Sequence, residues 1–167
     1  MSNPTLDFAE VVAISNVVNL VSVNCREISA KRNTEIADIP TQVRCTGSSE
    51  ATGMRDKTAG QIIVLVRFAL SVLKFSADPA ESVADISATL ALRYSVPGES
   101  LKSFRPEAVQ AFAETNGVYN AWPYWRELLQ NTAGRLGIPG IVAPVFRLNA
   151  GPKDSTQPEP SMKGEAK

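Results

Sequence analysis

The sequence predicts an α+β fold: a four-stranded antiparallel sheet in meander order, with C-terminal helices packed on one of its faces. Three observations lead there. Four segments between residues 18 and 96 carry the two-residue apolar alternation of strands. The links between them are short and rich in turn residues, which favours antiparallel neighbours. After Pro97 and Gly98 the apolar spacing changes to that of a helix.

The elements follow in order. Residues 5–16 read as a short helix or an extended arm, because Leu6, Val11, Val12 and Ile14 fit neither period cleanly. Segment 18–33 alternates at Val21, Val23 and Cys25 and then slips phase near Ile28, as a bulge would make it do. Segment 41–53 alternates small residues, Val43, Cys45 and Gly47, and fits an edge strand or a closely approached face. Segment 60–75 is apolar on both faces. Ile62, Val64, Val66, Phe68, Leu70 and Val72 share one; Ile63, Leu65, Arg67, Ala69 and Leu73 share the other. One face can cover helices of the same subunit, and the other wants a partner. Segment 82–96 points Ala84, Ile86, Ala88, Leu90, Leu92 and Tyr94 inward. The expected turns are Asp38–Pro40, Gly53–Asp56 and Ala77–Glu81.

In the C-terminal half, Pro106 suits a first helical turn, and Asn116 and Gly117 supply a stop. Asn120 can cap a second helix, with Pro123 tolerated in its first turn. Trp122, Trp125, Leu129, Thr132, Ala133 and Leu136 then share one face over 122–136, until Gly137, Ile138 and Pro139 end it. These elements make one domain, 1–148, with 1–16 as its N-terminal arm or helix. Residues 149–167, with three prolines and almost no apolar bulk, read as a disordered polar tail.

Composition excludes several classes of function. The 17 basic and 17 acidic residues balance, so no basic footprint for nucleic acid is indicated. No apolar run reaches the ~18 residues of a membrane span, and the polar start is not a secretory signal, so a soluble cytoplasmic protein is expected. The chain has no histidine, which removes the commonest general base and metal ligand. Cys25 and Cys45 are too few for a zinc site and read as reduced structural residues, possible neighbours on paired strands. Neither an enzyme nor a metal or cofactor is expected.

The aromatic cluster is the remaining candidate. Trp122, Trp125 and Leu129 can simply cover the sheet as core. Phe104, Val118 and Tyr119 before that helix, and Ile138, Ile141, Val142, Val145 and Phe146 after it, can instead line a groove between loop and sheet. Such a groove would take extended apolar peptide without reading its sequence. The candidate groove residues are Phe104, Tyr119, Trp122, Trp125, Ile141, Val145 and Phe146.

Residues 104–146 resemble the SecB family of export chaperones. The family's aromatic-Pro-Tyr-x-Arg-Glu motif opens its long helix, and here reads Trp122, Pro123, Tyr124, Trp125, Arg126, Glu127. Its Gly-x-Pro turn and Ala-Pro-Val segment are matched by Gly137-Ile138-Pro139 and Ala143-Pro144-Val145. The resemblance implies an ATP-independent holdase for unfolded or nascent polypeptides, assembled as a dimer of dimers. It also implies a role in export with the SecA motor, or service as a dedicated adaptor for one partner such as an antitoxin. The chain departs from the family in three respects, one being an N-terminal segment with no assigned counterpart. A polar tail follows Leu148 where the family has a second long helix, and the net charge is zero where the export chaperones are acidic.

Overall fold

The computed structural model describes residues 8–75, 81–98, 100–138 and 140–143. In chain order they form α1 (Phe8–Val17), β1 (Asn19–Arg32), a 3-10 turn (Ile36–Asp38), β2 (Val43–Asp56), β3 (Gln61–Lys74) and β4 (Ser82–Ser95). Then come α2 (Ser100–Ser103), α3 (Pro106–Phe112), a π-helical turn (Ala113–Gly117) and α4 (Val118–Arg135). Residues 5–7 of the expected arm with Leu6, the expected turn at 77–80, Pro139, Pro144, Val145, Phe146 and the whole tail expected at 149–167 lie outside the described residues.

The four strands make one antiparallel sheet in the order β1-β4-β3-β2. This corrects the simple meander. β2, β3 and β4 do follow one another, but β1 pairs with β4 at the far edge. Three strand spacings, about 14 Å, separate β1 from β2, well within reach of the chain at about 3.3 Å per residue. The crossover passes the end of α4. Arg32 Nη1 donates to the carbonyl of Leu136 at 3.2 Å, and Ile36 and Ile39 border Gly137.

The alternation of β3 and β4 builds the core. Ile62, Val64, Val66, Phe68 and Val72 on β3, with Ile86, Leu90, Leu92 and Tyr94 on β4, are buried beneath the helices. Ile63, Leu65, Ala69 and Leu73 on the outer face are only partly covered. β1 slips register between Leu20 and Ser22 and again between Cys25 and Glu27. The second slip explains the lost phase: Cys25 and Ile28 face the same side across the extra residue. Cys25 and Cys45 are therefore not neighbours; they stand on opposite edge strands, both exposed and unbridged.

The β2–β3 turn lies later than expected. β2 continues through Gly53 to Asp56, and Asp56 Oδ1 accepts from the amides of Thr58 and Ala59, both at 3.0 Å. Gly60 closes the turn at φ 64°. Gly53 is needed for packing: a Cβ there would lie 2.5 Å from the carbonyl oxygen of Val109 on α3.

The helices also differ from the reading of the sequence. Pro106 does sit in the first turn of α3. No break follows at Asn116 and Gly117, because α3 runs through the π turn into α4. Gly117 has helical backbone, φ −60°, and a Cβ there would lie 2.7 Å from Val64 Cγ1. It permits close approach to the sheet; it does not stop the helix. Thr115 Oγ1 donates to the carbonyl of Ala111 at 2.8 Å, within the widened turn. Asn120 is no cap; its Nδ2 donates to the buried hydroxyl of Tyr94 at 3.0 Å. Pro123 consequently stands inside a helix, not in its first turn. The exit is as expected at Gly137 (φ 74°), where the amides of Gly137 and Ile138 bond to the carbonyls of Gly134 and Ala133.

α1 settles the ambiguity over its segment. It is helical, buries Val11 and Ile14, and is tied to the base of α3 by Glu10 and Arg105 at 2.8 Å.

Candidate functional site

Between Val43 and Arg55, the side chains of β2 that face the helices are small: Cys45, Gly47, Ser49, Ala51 and Gly53. α3 and the π turn lie over the end of the strand that holds Ala51 and Gly53. α4 crosses β3, β4 and β1 instead. The first half of β2 is left as the border of an open groove of about 470 Å³.

Phe68 and Leu70 form the floor of this groove, and Trp122, Trp125 and Leu129 of α4 form one wall. Gly140, Ile141, Val142 and Ala143 complete the described lining. The Trp125 ring stacks on Phe68 with 5.3 Å between centroids and 8° between planes. Trp122 meets the same ring edge-on at 5.7 Å and 69°. Among the described residues no charged side chain lines the groove. Although Cys45 is exposed, partial desolvation of its thiol raises the pKa above the ordinary value, which disfavours the nucleophilic thiolate. Among the described residues no three His, Cys, Asp or Glu side chains gather as metal ligands.

A second, shallower cleft of about 350 Å³ lies on the other flank of α4, over β1. Val23, Ile28, Tyr124 and Leu128 line it together with Glu127 and Arg135, so it is more polar than the first.

The expected groove residues are distributed as follows. Trp122, Trp125 and Ile141 line the groove. Trp125 is 3% exposed and also belongs to the core, whereas Trp122 is half-buried. Tyr119 is not among the lining residues; it is 53% exposed and falls on the Trp122 flank of α4 by helical spacing. Phe104 is also absent from the lining, being buried where its carbonyl accepts from Arg55 Nη1. Val145 and Phe146 lie outside the described residues. Of the motif, Tyr124 and Glu127 face the second cleft, Pro123 is exposed and Arg126 is partly buried.

Reading the sequence missed Phe68, Cys45, Gly47 and Ser49 as groove residues. Phe68 looks like any inward residue of a core strand. The run of small residues on β2 was the available sign, since a strand without bulk cannot cover the sheet beside it.

No described helix is long and apolar enough to cross a membrane. No family model matches the chain, and no curated protein matches it in sequence. Among solved structures it superposes on the Mycobacterium tuberculosis SecB-like chaperone Rv1957, determined in complex with a ChAD peptide from the Rv1956 HigA1 antitoxin. The TM-score is 0.72 at 16% identity, covering 85% of this chain and 99% of that one. A Streptococcus agalactiae protein of unknown function aligns at a TM-score of 0.36 and 13% identity, over 76% and 96% of the two chains. The first likeness shows the fold: this chain has the SecB-like fold, a four-stranded antiparallel sheet with its C-terminal helix on one face.

Proposed function

We propose that this protein is a polypeptide-binding chaperone that holds unfolded or nascent chains in the groove between β2 and α4. The observation that carries the reading is the open aromatic groove around Phe68, Trp122 and Trp125, with no charge among its described lining residues, in the fold of a chaperone solved with a peptide bound. Apolar client segments gain about 25 cal/mol for each Å² removed from water. No nucleotide, metal or catalytic group enters the mechanism, and the protein acts as a holdase, not as an enzyme. Several grooves on one oligomer, a dimer of dimers in this reading, would add avidity. A cytoplasmic role in export, with SecA as the receiving motor, is the extended form of the proposal.

A dedicated adaptor for one partner, such as an antitoxin, is the second reading. The antitoxin peptide in the M. tuberculosis structure favours it. Light scattering with three unrelated heat-unfolded proteins separates the two. A holdase delays the aggregation of all three, and Trp122→Ser weakens the delay. An adaptor delays none. A folded Trp122→Ser variant that protects as well as the parent would remove the groove from the mechanism.

A further inference from the structure

The two edges of the sheet are unlike. Both carry charged side chains, Arg26, Glu27 and Lys31 on β1 and Arg44, Glu50 and Arg55 on β2, but β1 is also bulged twice, which interrupts its edge. β2 pairs with β3 without a register slip, and from Cys45 to Ser49 it has neither charge, proline nor bulge. Its far half is already closed from the side. Gln110 of α3 accepts the amide of Gly53 at 3.0 Å and donates to the carbonyl of Ala51 at 2.8 Å, standing where another strand would stand. Those two bonds identify odd-numbered residues as the ones whose N–H and C=O face away from β3. By strand alternation the same is true of Cys45, Gly47 and Ser49. Among the described residues nothing pairs with them, and they border the apolar groove.

We propose that an extended polypeptide binds this protein as a fifth strand on β2, pairing its main chain with Cys45, Gly47 and Ser49 while alternate side chains enter the groove. This deepens the chaperone reading and rests on it. An unpaired ladder selects a strand: a helix has no free main-chain groups to offer, and a small apolar ligand would leave the ladder unmet. Main-chain pairing is blind to client sequence, and the groove asks only for apolar bulk at every second residue. Gln110 stops the added strand before Ala51, so the bound segment is short. The small side chains of Cys45, Gly47 and Ser49 leave room above the edge for those of the client.

The test uses the full chain and a fluorescein-labelled peptide of alternating valine and threonine with a lysine at each end. Two further versions are N-methylated, one at the valines and one at the threonines. One methylated version should bind at least roughly tenfold more weakly than the parent peptide, because its paired amides are lost. Ser49→Pro removes an outward amide without touching the β3 ladder and should weaken binding by a similar factor, while Ser49→Ala binds normally. Equal binding of all three peptides by the parent protein overturns strand addition and leaves the groove reading standing. Absence of binding by any peptide overturns both. Amides of Cys45, Gly47 and Ser49 that resist hydrogen exchange in the peptide-free protein would mean the edge is already paired, by a second copy or by chain beyond Ala143. That result also overturns the proposal. The binding assay does not depend on the fold surviving proline, because the methylated peptides probe the unaltered protein.

Discussion

The ring of Trp125 lies nearly parallel to that of Phe68, 8° between planes and 5.3 Å between centroids, while Trp122 meets the same Phe68 ring edge-on. One phenylalanine thus supports two tryptophans in different roles. Trp125 is 3% exposed and Trp122 is half-buried.

The two tryptophans should therefore respond differently to truncation. Trp125→Ala should cost about 3–5 kcal/mol, the range for a buried aromatic lost from a packed core. Trp122→Ala should lose the edge contact, about 0.5–1.5 kcal/mol, plus a partial burial term. Urea denaturation of both variants measures the difference, and equal losses would contradict the division of roles.

Gly53→Ala should destabilise the protein by about 1–3 kcal/mol, because the added methyl would press on the α3 backbone at the Val109 carbonyl. A thermal melt reads this directly. A neutral result would mean that α3 does not lie against β2 at that point.

Gly134 lies in α4, and apart from its own helix backbone no described residue comes within 4 Å of where its Cβ would be. Gly134→Ala should stabilise the helix by about 0.5–1 kcal/mol. Sedimentation run beside the melt checks the alternative: if Gly134 admits a second copy closely, alanine lowers the oligomer's mass instead.

Asp85, on the outer face, accepts hydrogen bonds from Ser71 Oγ at 2.6 Å, Asn33 Nδ2 at 2.7 Å and Ser82 Oγ at 3.0 Å. The Ser71 bond above all, helped by Asn33, Ser82 and the charge of Lys31, holds its carboxyl below the usual range despite some desolvation. A depressed folded pKa contributes stability above the unfolded value of about 3.9, and that contribution is lost as pH falls through the folded pKa. Asp85→Asn should be less stable than the parent at neutral pH, and the gap should close in strong acid. Urea midpoints across an acid series test this; a gap independent of pH would discount the carboxylate.

The strands were legible because burial on one face writes a two-residue pattern that needs no tertiary knowledge. Even the bulge in β1 showed as lost phase before Ile28. The strand order was not legible. A link of given length permits either a hairpin or a crossover, and the capping of α4 by Arg32 acts between residues distant in sequence. Glycine and asparagine misled for a similar reason. Gly53, Gly117 and Asn120 carry turn and cap chemistry in isolation, yet each is used here for contact with another element.

By itself the sequence determined the inward faces of β3 and β4, the helical exit at Gly137 and the concentration of aromatic bulk on α4. Tertiary structure alone decided that Phe68 would sit under both tryptophans and that the small half of β2 would border the groove they line. The physical reason is that periodicity records which residues leave water, whereas a groove is made where packing stops. Where it stops depends on the bulk of residues from several strands and a helix together, here the small side chains of β2 and the path of α4 beside them.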